Sequence, residues 1–219
     1  MRKYLTWGGI MYQQHPSVAL TRAFSAKPFQ GASPEAADFL FVGLDANYAA
    51  SIEESPFFQR VLEYLDDGVE FWCKYGVHHP FLLPEYSEDG QLYHRSFSRI
   101  GFGVEHAHQV SFIELLHAPT CGRNTLTTED LDRRHLSRLN EAIIRGKAKH
   151  VFIPRSVAKL MRETGLFPWL PSVPTPLAGH LGLWFKADNK SVYCHYHLSV
   201  YGHLHDRKMK QLREIAALI

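Results

Sequence analysis

FLFVGLDANYAAS, residues 39–51, decides how the chain is read. Its first five residues, Phe39–Gly43, make an apolar run with the length of a buried strand, and the chain then turns polar at Asp45 and Asn47. In open α/β sheets ligands bind at the carboxyl ends of the parallel strands. A core strand that runs straight into a carboxylate therefore points to chemistry at its end.

Outward from this strand, apolar runs alternate with helical spacing. Ser55-Pro56 predicts an N-cap with proline in the first turn, and FFQRVLEYLDDG, residues 57–68, predicts a helix ending at Gly68. VSFIELL at 110–116 reads as a second buried strand, closed by the loop HAPTCGRNTL. Thr127 or Thr128 caps a helix running to Gly146, with Leu131, Leu136, Leu139, Ile143 and Ile144 on one face. HVFIP at 150–154 is a third strand, and residues 156–163 a short helix stopped by Gly165. After the proline-rich PWLPSVPTP come strands LGLWF (181–185) and SVYCHY (191–196), then a helix over 206–219. Such alternation predicts an α/β fold, a three-layer α/β/α sandwich with a mainly parallel central sheet. Residues 1–37 show no period and read as an irregular N-terminal arm to a single domain spanning 1–219.

Composition narrows the class. With 219 residues and 45% apolar content the chain can bury one sizeable core. A formal charge of +2 neither requires nor excludes a nucleic-acid partner, so any such contact must come from a local patch. Three cysteines without CxxC spacing argue for a reducing compartment and against a disulfide framework or a thiolate cluster. The first residues carry no sustained apolar run, so the expectation is a cytoplasmic protein without signal peptide or membrane span.

The polar residues at the strand ends are the candidate site. Asp45 follows the first strand, Glu114 and His117 close the second, and His197 and Ser199 follow the last. If these strands are parallel, the groups share one rim. A carboxylate and an imidazole in one cleft are the minimum for hydrolysis: one orients or deprotonates water, the other stabilises developing negative charge. Structural roles compete with that reading. Asp45 can cap a helix, Glu114 can pair with Arg95, Arg99 or Arg123, and one of Phe57 and Phe58 belongs in the core. The histidine pairs 78/79, 106/108, 195/197 and 203/205 raise a metal site, but no Asp or Cys ligand stands at suitable spacing. The reading therefore includes neither cofactor nor metal. His15-Pro16-Ser17 precedes the first strand and is set aside.

From about Phe39 to Gly202 the chain resembles the uracil-DNA glycosylase superfamily. Gly43-Leu44-Asp45-Ala46-Asn47-Tyr48 is similar to its Gly-x-Asp-Pro-Tyr turn, and Ser55-Pro56-Phe57 to the Pro-Phe that follows in families that otherwise carry an iron-sulfur cluster. FIELLHAPTCGRN resembles the second strand with its exit loop, and HLSVYG at 197–202 the closing His-Pro-Ser motif. The resemblance implies a monofunctional, metal-independent DNA glycosylase of base excision repair, acting as a monomer on damaged single- or double-stranded DNA.

Residue by residue, it implies that Asp45 positions the attacking water and His197 hydrogen-bonds the departing base. Phe57 or Tyr48 stacks on the flipped base, with Asn47 standing in the usual tyrosine's place. Glu114 occupies the position of an asparagine that reads the base edge; an ionised glutamate there only accepts hydrogen bonds. Ser199 holds a phosphate, the segment 200–204 with Tyr201 supplies the wedge, and Arg95, Arg99, Arg123, Asn124, Arg155 and Lys159 meet the DNA backbone. Ala46, Asn47, Glu114 and Leu198 depart from the family's pattern. The alternative is a catalytically silent nucleic-acid-binding member of the same fold. The aromatic segment 77–102 is expected to pack over the pocket as a lid, or else to extend the core on the far side.

Overall fold

A computed structural model describes residues 13–87, 89–122 and 125–219. The chain is an α/β protein with a mixed seven-stranded sheet. In chain order the strands are β1 (Phe29–Gly31), β2 (Phe39–Gly43), β3 (Val110–Glu114), β4 (His150–Pro154), β5 (Thr175–Pro176), β6 (Gly182–Ala187) and β7 (Lys190–His195). The helices are α1 (Val18–Ala26), α2 (Phe58–Asp66), α3 (Gly68–Tyr75), α4 (Gln91–Ser98), α5 (Arg133–Arg145), α6 (Arg155–Glu163) and α7 (His205–Ala216). The spatial order is β1-β3-β2-β4-β7-β6-β5. β3, β2, β4 and β7 run parallel, whereas β1, β6 and β5 join antiparallel at the two edges.

Burial explains why β2 is an uninterrupted apolar run. Every residue of β2 is buried, as expected for a parallel strand covered on both faces. Leu40 and Val42 enter a core with Leu136, Leu139 and Ile143 of α5 and Val157, Leu160 and Met161 of α6. Phe39 and Phe41 point the other way, into a cluster with Trp72 of α3, Phe97 of α4 and Leu212 and Ile215 of α7. In register across the sheet, Phe41 stacks on Phe152 at 4.6 Å between ring centroids and on Phe112 at 5.7 Å. Aromatic pairs of this kind add about 0.5–1.5 kcal/mol beyond the area that they bury.

Residues 1–12 of the expected arm lie outside the described residues, and the rest is more ordered than its lack of period suggests. Residues 18–26 form α1, whose N-cap Ser17 accepts from the Leu20 N–H at 3.0 Å, and residues 29–31 form β1 on the outer edge of β3. The His15-Pro16-Ser17 tripeptide thus has a structural use, since His15 Nδ1 also accepts from the Ser17 N–H at 3.0 Å. Gly68 does not stop a helix as expected but opens α3. Asp67 accepts from the N–H groups of Val69 and Glu70 and is therefore an N-cap, while α3 ends at Gly76 with a φ of 73°. α2 begins at Phe58 rather than at the Ser55-Pro56 pair, and α5 begins after Asp132, which accepts from the His135 N–H at 2.7 Å, after a 3₁₀ turn at Thr128–Asp130.

Candidate functional site

Because β2, β3, β4 and β7 run parallel, their carboxyl ends lie along one edge of the sheet. A cavity of about 520 Å³ opens there, and Asp45, Glu114 and His197 all line it. Its volume falls in the range of pockets that enclose a small organic ligand. Asn47, Tyr48 and Ser199 also reach its wall.

Asp45 is held from below by a residue that the sequence reading passed over. Thr120 donates its hydroxyl to Asp45 Oδ2 at 2.5 Å, and Asn47 Nδ2 donates to Thr120 Oγ1 at 2.8 Å and to the Gly122 carbonyl at 2.8 Å. Main-chain bonds from Tyr48 N to Thr120 O (3.0 Å) and from Thr120 N to Ala46 O (2.9 Å) tie the two loops together. The Asn47 amide is thus committed to the loop rather than free for a base. Asp45 caps no helix, the next α-helix starting at Phe58.

Glu114 sits opposite Gly43 in the β2–β3 register. A Cβ on Gly43 would fall 1.9 Å from Glu114 Oε2, so any larger residue there displaces the glutamate carboxyl. Among the described residues Glu114 has no ion pair: Arg99 instead reaches Met209 Sδ at 3.7 Å, and Arg95 is exposed. Burial, reinforced by the neighbouring Asp45 charge, pushes its carboxyl up to about 8. A carboxyl raised in this way holds its proton to higher pH, and in the protonated form it donates as well as accepts.

His197 follows β7. The Ser199 N–H approaches its Nδ1 at 3.3 Å and the Ser199 hydroxyl at 2.9 Å. Nδ1 is therefore the acceptor, and the neutral ring carries its proton on Nε2. Burial lowers the His197 pKa, the Asp45 charge opposes that, and Lys208 adds to it. Lys208 of α7 is itself buried, and its Nζ donates to the carbonyls of Leu198 (3.1 Å) and Val200 (2.7 Å) and to Ser96 Oγ (2.9 Å). It thereby ties the His197 loop to α7 and α4. Position 208 lies on the apolar stripe of α7 with Leu212 and Ile215, so a lysine in a core stripe was the available signal.

The aromatic segment folds as a 3₁₀ turn at Pro80–Leu82 followed by α4, and His78, His79, Phe81, Tyr93 and His94 line the cavity. The His79 and His94 rings stack at 3.4 Å, and His78 Nε2 meets His94 Nδ1 at 3.3 Å. Burial keeps these imidazoles neutral: His78 and His79 are held well below the usual range and His94 is pushed down to about 3. Tyr93 packs against His197 at 5.6 Å.

Other expected residues lie elsewhere. Phe57 is buried against Tyr86 at 4.8 Å and does not line the cavity, which leaves Tyr48 as the ring of that pair at its wall. His117 faces His135, with ring centroids 6.2 Å apart. Tyr201 is 78% exposed beyond the cavity. Arg123 and Asn124 lie outside the described residues. Arg155 and Lys159, with Arg162 and His195, line a second groove that shares Ser156 and His197 with the cavity. Among the described residues no three His, Cys, Asp or Glu side chains are grouped to hold a metal ion, and no helix is long and apolar enough to cross a membrane.

Comparison with protein-family models, with curated proteins and with solved structures finds no match.

Proposed function

We propose that the chain is a metal-independent DNA glycosylase that hydrolyses the N-glycosidic bond of a flipped, deaminated base such as uracil, as a monomer of cytoplasmic base excision repair. The fold in this reading is a uracil-DNA-glycosylase-like three-layer α/β/α sandwich with a mainly parallel central sheet. The observation that carries it is the meeting of Asp45, Glu114 and His197 on one cavity at the carboxyl ends of parallel strands.

The groups present suit that chemistry. Hydrolysis at C1′ develops positive charge on the sugar and negative charge on the departing base. The Asp45 carboxylate, oriented by Thr120, attracts the sugar charge and takes a proton from the attacking water. The neutral His197 offers an Nε2 proton to the base while Ser199 holds the other ring nitrogen. Tyr48, Tyr93 and the stacked His79 and His94 supply flat apolar walls for a base taken out of the stack. The groove with Arg155, Lys159 and Arg162 adjoins the cavity, and its cations suit the phosphates on one side of a flipped nucleotide.

The test is a single-turnover assay on labelled single-stranded and duplex oligonucleotides carrying uracil, hypoxanthine, xanthine or a thymine mismatch, with Asp45→Asn and His197→Ala beside the wild type. Release of a base that both substitutions suppress is the expected result. Binding without release of any base would instead leave a silent nucleic-acid-binding protein.

A further inference from the structure

We infer that Glu114 is a catalytic general acid that protonates the departing base, and that the preferred substrate is therefore a purine-type base such as hypoxanthine. This rests on the glycosylase reading. Glu114 lines the cavity on the strand beside Asp45, over the space that Gly43 leaves open, with no side-chain hydrogen bond or ion pair among the described residues. Two carboxyl groups thus share one pocket in different surroundings: Asp45 already accepts from Thr120, whereas Glu114 is enclosed by rings. Environments that separate two carboxyl groups in this way divide the roles of base and acid between them.

Burial and the Asp45 charge favour the protonated form of Glu114. Asp45 from the β2 exit and Tyr48 just beyond it, Tyr64 from α2 and Tyr93 from α4 are coupled to it electrostatically. His78, His79 and His94 line the same cavity as neutral rings, with His197 across it. On the outer side of β3, His135 Nε2 meets the Glu114 main-chain carbonyl at 2.8 Å and leaves the carboxyl untouched. A carboxyl pushed up to about 8 is mostly protonated at pH 7 and still gives up its proton readily.

The step balances as follows. The water oxygen bonds to C1′ as the C1′–N9 bond breaks, and that electron pair passes into the purine. The Glu114 proton goes to N7, so the base leaves neutral, and the water proton goes to Asp45. Solvent then reprotonates Glu114 and takes the proton from Asp45. A purine ring nitrogen gains basicity as the bond to the sugar lengthens. Uracil leaves as an anion and needs only a hydrogen-bond donor. The cavity, at about 520 Å³, has room for the larger base.

The experiment measures single-turnover base release from oligonucleotides carrying deoxyinosine, its 7-deaza analogue or deoxyuridine, between about pH 6 and 9.5, for wild type, Glu114→Gln and Asp45→Asn. Release of hypoxanthine by the wild type is expected to fall about tenfold per pH unit above about 8, and Glu114→Gln to be about 100-fold slower or more, without that alkaline limb. The 7-deaza substrate, which lacks the proton acceptor, is expected to react equally slowly with both, which separates loss of the acid from a variant that fails to fold and would be slower on it than the wild type. Glu114→Gln within tenfold of wild type, an alkaline limb that survives it, or a 7-deaza base released as fast as hypoxanthine would overturn the inference and leave the glycosylase intact. So would release confined to uracil. Release of no base from any oligonucleotide by the wild type would remove the glycosylase reading itself, and this inference with it.

Discussion

Thr120 donates its hydroxyl to Asp45 Oδ2 at 2.5 Å, and at the same time accepts from the Asn47 amide at 2.8 Å. One buried threonine from the loop after β3 therefore sets the direction of a carboxylate that follows β2.

Thr120→Val keeps the shape and removes both bonds. Each lost hydrogen bond is worth about 1 kcal/mol, so urea unfolding should show a loss of about 1–2 kcal/mol. Base release should fall by about tenfold or more, because Asp45 loses its orientation. An unchanged rate in a folded variant would show that Asp45 needs no such partner.

Lys208→Met tests the tether on the His197 loop. It leaves the Leu198 and Val200 carbonyls and the Ser96 hydroxyl without their donor, at about 1–3 kcal/mol for each buried group not reached by water. Thermal unfolding should move down by several degrees, and base release should drop further than stability alone accounts for. Lys208→Arg, which is too large for the same pocket, should not restore it.

Gly43→Ala probes the contact between the two strand ends. The new Cβ displaces the Glu114 carboxyl, so the substitution should cost about 1 kcal/mol, the low end of overpacking, because a flexible side chain gives way. The same change made in a Glu114→Ala background should cost much less, and a double-mutant cycle reads the difference as coupling. Equal costs in the two backgrounds would place Glu114 elsewhere.

The buried imidazoles make stability depend on pH. His94 and His195 are both pushed down to about 3 by burial, whereas the unfolded chain takes up protons near pH 6.5. Below that pH the unfolded state binds more protons, so stability is fully present above about pH 6.5 and is lost as pH falls toward 3. By linkage each of the two contributes about 2 kcal/mol of loss at pH 5 relative to pH 8. Urea midpoints at the two pH values measure it, and His94→Gln should flatten the slope. Glu114 acts in the opposite sense: its raised carboxyl stabilises the folded state at low pH, and that contribution fades as pH rises from about 4.5 toward 8. Glu114→Gln should therefore gain relative stability at pH 8.

Much of the framework was legible along the chain. β2, and β4 after His150, are continuous apolar runs because parallel strands covered on both faces have no polar side to show, whereas β3 carries Ser111 and β7 begins Lys190-Ser191. Asp45, Glu114 and His197 stood out as polar residues at the ends of such runs. α1 and β1 did not, because β1 is three residues long on an edge and α1 is read from its cap rather than from a period. Gly68 misled because a glycine after an acidic pair reads as a stop, whereas the Asp67 side chain turns toward the following N–H groups.

The order of residues thus determined the alternation of strands and helices and the carboxylate at the end of the first core strand, since period and punctuation are local properties. Only the tertiary structure decided that Asp45 and Glu114 share a cavity with His197, that Thr120 and Lys208 hold the loops that carry Asp45 and His197, and that burial beside Asp45 raises the Glu114 carboxyl. Those facts depend on strand register, on contacts between residues as far apart as 45 and 120, and on exclusion of water, none of which is a property of neighbouring letters.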